Sequence, residues 1–251
     1  MRKFTILLKK DLMELWRTKK ILILALVFVL FALSSPVLAY YTPEILKLAG
    51  AGGMKIEIPK ATILDSYSQF YKNIGQIGLF VLIILFSGLI VNERRRGQFT
   101  SLLNNGVNKL QFVLSKVISQ ILVFSLIYVL SVGCFAVYNI VLFDKTWISH
   151  SFLSIVLTYV YFIFAICLTD FFSSWTKSMM LSIVLSLAVT ILLSVLNIFE
   201  FGKYLPSYLS TLSLNVLQRQ DLTNAYQTMG ISLLVSLLLV VLAVRLCSNK
   251  E

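Results

Sequence analysis

Residues 74–97 read IGQIGLFVLIILFSGLIVNERRRG, an apolar run that ends in one acidic and three basic side chains. A bilayer core of about 30 Å needs about 20 apolar residues in a helix, so the run from Ile74 to Val91 predicts a membrane-spanning helix. The charged residues Glu93 to Arg96 follow at its end, and basic side chains are enriched at the cytoplasmic ends of spans.

The composition of the whole chain predicts a helical membrane protein. Of its 251 residues, 58% are hydrophobic and 13% are charged, whereas a soluble domain carries about 25% charged residues. Disordered chains are poor in aromatic and branched aliphatic residues, so the composition also excludes disorder. The apolar residues come in unbroken runs rather than in the alternation of a membrane barrel. We therefore expect an all-α, polytopic membrane protein.

Five further apolar runs predict spans of the same kind. The six predicted transmembrane helices are 21–41, 74–91, 117–143, 152–169, 179–199 and 228–246. None has Asp, Glu, Lys or Arg in its interior, and the nearest acids, Glu93 and Asp170, are predicted at span ends. Ionisable residues near the midplane usually mark ion pathways, so their absence disfavours a proton-driven mechanism.

The charges between the spans predict the orientation. With the N-terminus inside, the cytoplasmic segments hold fifteen basic and five acidic residues, a net charge of +10. The external segments hold seven basic and six acidic residues, a net charge of +1. This asymmetry follows the positive-inside rule, so both termini are predicted to be cytoplasmic. It also explains the total charge of +11 without a nucleic-acid partner.

Residues 1–20 predict a cytoplasmic interfacial helix that precedes a single six-span domain over 21–251. Its apolar positions recur at helical spacing, and basic residues and Glu14 occupy the other side. Such a helix lies among the lipid headgroups of the inner leaflet. A basic segment that only orients the first span is the alternative. The residues assigned to the interfacial face are Phe4, Leu8, Leu12 and Trp16, together with Leu7 and Leu15.

Two long external segments are predicted, 42–73 and 200–227. The first contains a glycine-rich stretch at 50–53, predicted to be flexible, and a helix that begins near Thr62 and continues into the second span. The second has Pro206 in the first turn of a helix but too few apolar residues to cross the bilayer. A short re-entrant or interfacial helix is the natural interpretation.

The cytoplasmic segment 92–116 is predicted to contain a short amphipathic helix. Apolar residues follow the arginines at i, i+3 and i+4, and Asn104-Asn105-Gly106 supplies a stop. A solvated basic loop that only fixes topology is the alternative. The ordered apolar face favours a helix that docks onto a cytoplasmic partner. The residues assigned to this coupling contact are Glu93, Arg94, Gly97, Phe99, Leu102, Leu103, Gly106 and Val107.

Sequence motifs for catalysis, metal binding and nucleotide binding are absent. The single histidine, His150, has no cluster of Cys, His and carboxylate ligands at zinc-site spacing. Neither HExxH nor GxxxxGK[ST] occurs. We therefore predict no catalytic residues, no metal site and no cofactor in this chain. If the protein is a pump, its energy comes from another chain.

The arrangement of these features resembles the membrane subunits of type-2 ATP-binding-cassette exporters. The resemblance covers the whole chain by architecture, and its most local part lies just after the second span. Glu93, Gly97, Leu102, Leu103, Val107 and Lys116 are similar to that family's Glu-x-x-x-Gly-Thr, Leu-Leu, Pro-Val-Ser-Arg and later Lys. This chain departs from the pattern at Gln98, Gly106, Asn108 and Lys109, where the family has Thr, Pro, Ser and Arg.

The resemblance implies a permease subunit in a bacterial cell membrane, paired with a second permease copy or a homologous permease. It also implies cytoplasmic ATPase subunits, which would bind ATP and Mg²⁺ and dock onto the coupling segment. The apolar spans favour a hydrophobic or amphipathic substrate, such as a peptide, an antimicrobial or a lipid, moved outward. The alternative is a membrane interaction protein, such as an immunity or sensor subunit, that transports nothing.

Overall fold

The computed structural model describes residues 2–49, 60–144 and 148–248, which form a bundle of helices without a strand in these ranges. Six helical segments are long and apolar enough to cross a membrane. They are Lys20–Ile45, Ile63–Arg95, Lys109–Phe143, Ser151–Trp175, Met179–Leu196 and Leu222–Cys247. The predicted all-α, six-span fold is thereby confirmed. The glycine-rich stretch at 50–53 lies outside the described residues.

The N-terminal region forms helix α1 (Arg2–Arg17) and helix α2 (Lys20–Ala49). A turn separates them, and in it Lys19 adopts a left-handed backbone with φ of 57°. α2 is longer than the predicted span, because Pro43 lies inside the helix instead of ending it. A proline removes one helical hydrogen bond, but neighbouring groups in a membrane protein can satisfy the freed carbonyl. The helix therefore continues beyond residue 41, where the predicted span ends.

The second span is a composite of four helical pieces. They are α3 (Ile63–Asn73), a π turn (Ile74–Gly78), α4 (Leu79–Phe86) and α5 (Gly88–Arg95). The predicted start near Thr62 is confirmed, because Thr62 caps α3. Its backbone N–H donates to Asp65 Oδ2 at 2.8 Å, and the Asp65 backbone N–H donates to Thr62 Oγ1 at 3.4 Å. The helix therefore starts outside the apolar run and continues into it.

The remaining helices complete the bundle. They are α6 (Gln98–Asn104), α7 (Lys109–Phe143), α8 (Ser151–Trp175), α9 (Met179–Leu196), α10 (Tyr208–Asn215) and α11 (Leu222–Ser248). The short helix predicted in 200–227 is α10, which 3₁₀ turns flank on both sides. Leu209 and Leu212 of α10 are fully buried, and α10 packs against α8.

α8 lies at the centre of the bundle, packed against α4, α7, α9, α10 and α11. Of its most apolar 18-residue stretch 67% is buried, compared with 17% for α9. The rings of Phe28, Phe124 and Phe162 meet beside it, with centroids 5.0–5.6 Å apart. The outer faces are apolar and exposed, as a lipid environment requires; Leu126 and Leu234 are examples.

Close helix contacts explain two of the three glycines of the second span. A Cβ at Gly78 would lie 3.1 Å from the ring of Phe28, and one at Gly88 would lie 2.9 Å from Met179 Sδ. A side chain at either position would push the neighbouring helix away. At Gly75 a Cβ would have no heavy atom within 4 Å. Close packing against a neighbouring helix thus accounts for Gly78 and Gly88 but not for Gly75.

Candidate functional site

The residues assigned to coupling lie at one end of the bundle, which we call the basic end. It is formed by α1, by residues 94–109 and by the last turns of α11. Arg94, Arg95, Arg96 and Lys109 stand on this stretch, and Arg245 is in the last turn of α11. The charge distribution predicts that this end faces the cytoplasm.

Two glycines with left-handed backbones delimit α6. Gly97, with φ of 71°, precedes its first residue and reverses the chain after α5. Gly106, with φ of 76°, follows its end, and the Gly106 backbone N–H donates to the carbonyl of Leu103 at 2.8 Å. Only glycine adopts this backbone without steric cost. A capping box of Asn108 and Gln111 then starts α7. The short helix predicted in this segment is present, and it stops where predicted.

The apolar face of α6 packs against its own chain. Phe99 is 5% exposed, and its ring centroid lies 4.8 Å from that of Phe112. Leu102, Leu103 and Val107 are half-buried against the same cluster, which includes Ile90, Val113 and Cys247. A seven-residue helix between two spans lies directly on their ends, so its apolar side chains fill the gap there. The face that α6 leaves exposed is polar and consists of Gln98, Thr100, Ser101 and Asn104.

A cavity of about 390 Å³ opens beside this polar face. Its walls are mixed, with the apolar side chains of Val91 and Phe99 next to basic groups. The Arg94 guanidinium donates a hydrogen bond to the backbone carbonyl of Ser174 and so links α5 to α8. The cavity is lined by Val91, Arg94, Arg95, Phe99, Thr100, Thr176, Lys177 and Cys247.

Behind α6, a cluster of buried charges joins α1, α5 and α7. The ammonium group of Lys116, 1% exposed, donates to three carboxylates. The distances from Lys116 Nζ are 2.8 Å to Asp11 Oδ1, 2.7 Å to Glu93 Oε1 and 3.3 Å to Glu14 Oε2. We call Asp11, Glu14, Glu93 and Lys116 the charge cluster. Removing one partner of such a buried set strands an uncompensated charge, which is strongly unfavourable.

Two further contacts extend the charge cluster. Lys10 also donates to Glu93 Oε1, and Ser115 Oγ donates to Asp11 Oδ2 at 2.7 Å. In the described part of the chain, Glu93 does not pair with any of the three arginines that follow it in the sequence. Among the described residues its ionic partners are lysines, because Glu93 lies on the inner side of α5 and faces α1 and α7.

The carboxylates of the charge cluster are the group in the described ranges that could hold a metal ion. One oxygen each of Asp11, Glu14 and Glu93 lies within 4.8 Å of the others. However, the Lys116 ammonium is bonded to all three and already supplies their positive charge. A divalent ion would have to displace it. The arrangement therefore serves to join helices.

The predicted interfacial helix, α1, buries one side against the rest of the protein and leaves the other side exposed. Phe4, Leu8 and Leu12 are half-buried, whereas Leu7, Asp11 and Leu15 form the deeply buried line. Trp16 is 72% exposed, and Ile6 and Met13 are exposed as well. An exposed apolar strip on a helix at a membrane boundary suits contact with lipid. The side facing the protein was predicted only in part, because Asp11 was overlooked.

α1 also contacts α6 directly. The ammonium group of Lys3 donates to the backbone carbonyls of Asn105 at 3.2 Å and of Gly106 at 3.1 Å. These carbonyls belong to the last turn of α6, where a cation is favourable. α6 is therefore tied to α1 at its end, while the charge cluster ties α1 to α5 and α7.

Charged residues lie in the parts of the helices that extend past the predicted apolar runs. Glu93, Lys116 and Asp170 all lie within helices long enough to span, because these helices extend beyond the apolar runs. Asp170, predicted to follow the fourth span, lies inside α8 and is fully buried. Gln120 Nε2 donates to its Oδ1 at 2.8 Å. Buried partners make such positions compatible with a membrane-spanning helix.

Sequence reasoning missed the pairing of Asp11 with Lys116. The two residues are 105 positions apart, so no local pattern connects them. A weak signal existed, since Asp11 lies midway between Leu7 and Leu15 on the apolar face of α1. An acid in that position needs a buried partner, because an unpaired carboxylate there would be very costly.

An apolar groove of about 540 Å³ runs along the bundle between α7, α8 and α11. Leu114, Ile121, Ile163, Leu237 and Val240 contribute to its walls, and Arg245 stands at the basic end. Such a surface suits hydrocarbon chains.

Comparison with known proteins relates the chain to a transporter family and to a bacterial relative. The sequence model of the family described as "ABC-2 type transporter" matches residues 2–214, which run from α1 nearly to the end of α10. A protein of Bacillus subtilis (strain 168), described as "Uncharacterized transmembrane protein YxlG", is 26% identical over 116 residues. That alignment covers 45% of this chain and 45% of the relative, so it spans less than half of either protein.

Proposed function

This chain belongs to the ABC-2 type transporter family, and on that basis we propose that it is the permease subunit of an ATP-driven exporter. A separate ATPase chain would bind ATP and Mg²⁺ and hydrolyse the nucleotide. The family's membrane domain is a permease and not a catalytic domain, and the six apolar helices make this chain a multi-pass membrane protein. The proposed orientation has both termini in the cytoplasm of a bacterial cell.

The observation that carries the proposal is the placement of α6. This short helix lies across the ends of the spans, between the second and third of them, with Gln98, Thr100, Ser101 and Asn104 exposed. Its apolar side is occupied by the chain itself, so it needs no partner to be folded. A partner would therefore bind the polar face and the basic cavity beside it, with Arg95 and Lys177 in reach.

The contacts behind α6 support transmission of a movement to the spans. Lys3 links the end of α6 to α1, and the charge cluster links α1 to α5 and α7. Closure of the ATPase subunits would push on α6, and these contacts would pass the displacement to the second and third spans. The transport path would then alternate between its inward-open and outward-open forms.

The proposed substrate is hydrophobic or amphipathic, such as a peptide, an antimicrobial or a lipid. The walls of the spans are apolar, and the groove between α7, α8 and α11 offers a hydrocarbon-like surface with one arginine at its end. A second permease copy or a homologous permease would complete the path, as the family implies. Export is the proposed direction.

The experiment tests the exposed face of α6 with a bulky substitution. The tagged full chain is expressed in its native cells, and the co-purification of a P-loop ATPase is measured. Thr100→Trp should reduce the recovered ATPase at least about tenfold, because a misplaced indole at a tight interface costs more than about 1.4 kcal/mol. Thr223→Trp, at an exposed position in the first turn of α11 at the other end, is the matched control.

Equal recovery of the ATPase by both variants and by the wild type would reject α6 as the docking element. Binding of the ATPase without export from vesicles would favour the alternative, a membrane interaction protein that transports nothing. ATP hydrolysis by the purified permease chain alone would contradict the proposed division of labour.

A further inference from the structure

A carboxyl and a carboxamide meet inside the membrane-spanning part of the bundle. Gln120 lies on α7 and Asp170 on α8, and both side chains are fully buried. Gln120 Nε2 donates a hydrogen bond to Asp170 Oδ1 at 2.8 Å. The pair lies one turn further along α7 than Lys116, on the same side of the helix.

Each of the two side chains has a second oxygen that accepts no hydrogen bond. In the described part of the chain, Asp170 Oδ2 and Gln120 Oε1 are both buried and without a donor. Buried oxygen acceptors are nearly always satisfied in folded proteins, because leaving one unpaired forfeits its hydration. Two such atoms on side chains that already touch therefore call for a shared donor.

Lys116 is the nearest candidate counter-ion, but its donors are taken. An ammonium group has three N–H donors, and those of Lys116 go to Asp11, Glu14 and Glu93. It could bond Asp170 only by abandoning one member of the charge cluster.

The other titratable groups around Asp170 offer no cation either. Asp11 on α1, Cys167 on α8 and Cys247 on α11 are close enough to interact electrostatically with the Asp170 carboxyl group. None of these three side chains carries a positive charge. Arg94 on α5 donates to the Ser174 carbonyl, one turn beyond Asp170. α4 and α9, which also pack against α8, contain no titratable residue. An ionised Asp170 would thus be a buried charge without a bonded cation, a state that proteins avoid by neutralisation.

We propose that Gln120 and Asp170 form a binding site for one proton within the membrane domain. The proton, taken from water, binds Asp170 Oδ2, and the resulting O–H donates to Gln120 Oε1. The existing bond from Gln120 Nε2 to Asp170 Oδ1 completes a cyclic acid–amide pair. One proton thereby satisfies both orphaned oxygens and leaves the site uncharged. This differs from the charge cluster, where the carboxylates are ionised and paired with lysine.

The site makes protonation depend on the contact between α7 and α8. If these helices separate and water enters, the carboxyl can ionise and its proton leaves. The proton is thus held in the packed arrangement seen here and exchanges in any arrangement that opens this contact. The inference does not rest on the proposed export function, since it concerns the resting chain alone.

Infrared spectroscopy of the full chain in lipid vesicles tests the proposal. At neutral pH the wild type should show the carbonyl stretching band of a protonated carboxylic acid, shifted by H₂O/D₂O exchange. Asp170→Asn should abolish this band, whereas Glu44→Gln, at an exposed position of α2 away from the pair, should leave it in place. Asp170→Asn should also unfold within a few degrees of the wild type, since its amide N–H can replace the O–H donor.

Gln120→Leu provides a second test that does not require Asp170→Asn to fold. It removes both hydrogen bonds of the pair, so the acid band should persist but move to the frequency of an unbonded carboxyl. An unmoved band in Gln120→Leu, or the absence of an acid band in the wild type, would overturn the proposal. So would a rise in the unfolding temperature with Na⁺ that Asp170→Asn abolishes, because the site would then bind a metal cation.

Discussion

At the basic end of the bundle α1, α5 and α7 meet through buried charges, whereas at the opposite end α3 and α7 meet through aromatic rings. Lys116 lies within 2.7–3.3 Å of oxygens from Asp11, Glu14 and Glu93. At the other end the ring of Phe135 stacks on Phe70 with centroids 4.4 Å apart, and Tyr67 lies edge-on to it at 4.9 Å. We call these three rings the aromatic cluster.

The two kinds of contact respond differently to movement. Coulomb attraction between charges falls slowly with distance, so helices joined by ion pairs can shift by about an ångström and stay attached. Dispersion between packed rings falls steeply, and a gap of 0.5–1 Å already loses about a quarter to a half of it. The basic end is thus suited to pass on a displacement, and the aromatic end is suited to resist one.

Removing the central cation should have the largest effect. Lys116→Ala leaves buried carboxylates without their ammonium group and should destabilise the chain by about 3–5 kcal/mol. The measurement is the unfolding midpoint of the purified chain in detergent. Lys9→Ala, at an exposed position of α1, is the matched control and should be neutral. Neutralising Asp11 and Glu93 together with Lys116 should recover much of the loss; a stable single variant would refute the cluster's role.

Opening a hole in the aromatic cluster should have the next largest effect. Phe135→Ala removes a ring that is 2% exposed and should cost about 3 kcal/mol, since the surrounding side chains relax only partly. Val137→Ala, on the exposed side of α7, serves as the comparison. The stability lost in Lys116→Ala should be partly recovered by neutralising its carboxylate partners, whereas the stability lost in Phe135→Ala should not be recovered by any change of charge. Thermal unfolding at equal lipid content distinguishes the two.

A cap at the aromatic end tests the comparison on a smaller scale. Thr62→Ala removes the hydroxyl that accepts from the Asp65 backbone N–H and should cost about 1 kcal/mol. The first turn of α3 should fray, which amide hydrogen exchange of residues 63–66 would detect. Lys60→Ala, exposed and just before the cap, should change nothing. Unchanged exchange in Thr62→Ala would mean that tertiary packing alone fixes the helix start.

The smallest effect is expected where α1 caps α6. Lys3→Met removes two exposed hydrogen bonds to the carbonyls of Asn105 and Gly106 and should cost about 0.5 kcal/mol. Global unfolding should barely move, whereas the last-turn amides of α6 should exchange faster. Lys9→Met is the matched variant on the exposed side of the same helix. Equal exchange in both would show that Lys3 does not hold α6 to α1.

The spans could be predicted because lipid requires long apolar helices, a property visible in any window of sequence. Helix ends were predictable where a local device encodes them, as at Thr62 and at Gly106. Helix ends were not predictable where a helix continues past its apolar run and is surrounded by other helices rather than by lipid. At Asp170 a side chain from another helix bonds one carboxyl oxygen, and α8 continues to Trp175 although the apolar run ends before it.

The contacts of the candidate site were predictable only in part. The apolar spacing of Phe99, Leu102 and Leu103 gave a helix and a buried face, but could not say whether that face meets its own chain or a partner. The structure places it against Phe112. Asp11 and Lys116 were beyond reach for a different reason, because their pairing depends on how distant helices are arranged.

The π turn at Ile74–Gly78 determines which side chains of the second span face the interior of the bundle. Each residue of a regular helix turns by about 100°, and a π turn accommodates one residue more than an α turn does. The residues on either side of it therefore differ in angular register by about one residue. With this offset, Tyr67 and Phe70 before the turn and Leu82 and Phe86 after it are all buried. Deleting Gly75 would join α3 and α4 into one continuous α-helix and rotate α3 by that angle, turning its aromatic side chains away from Phe135. A single extra residue thus allows the parts of the second span before and after the π turn to bury their side chains in the same bundle.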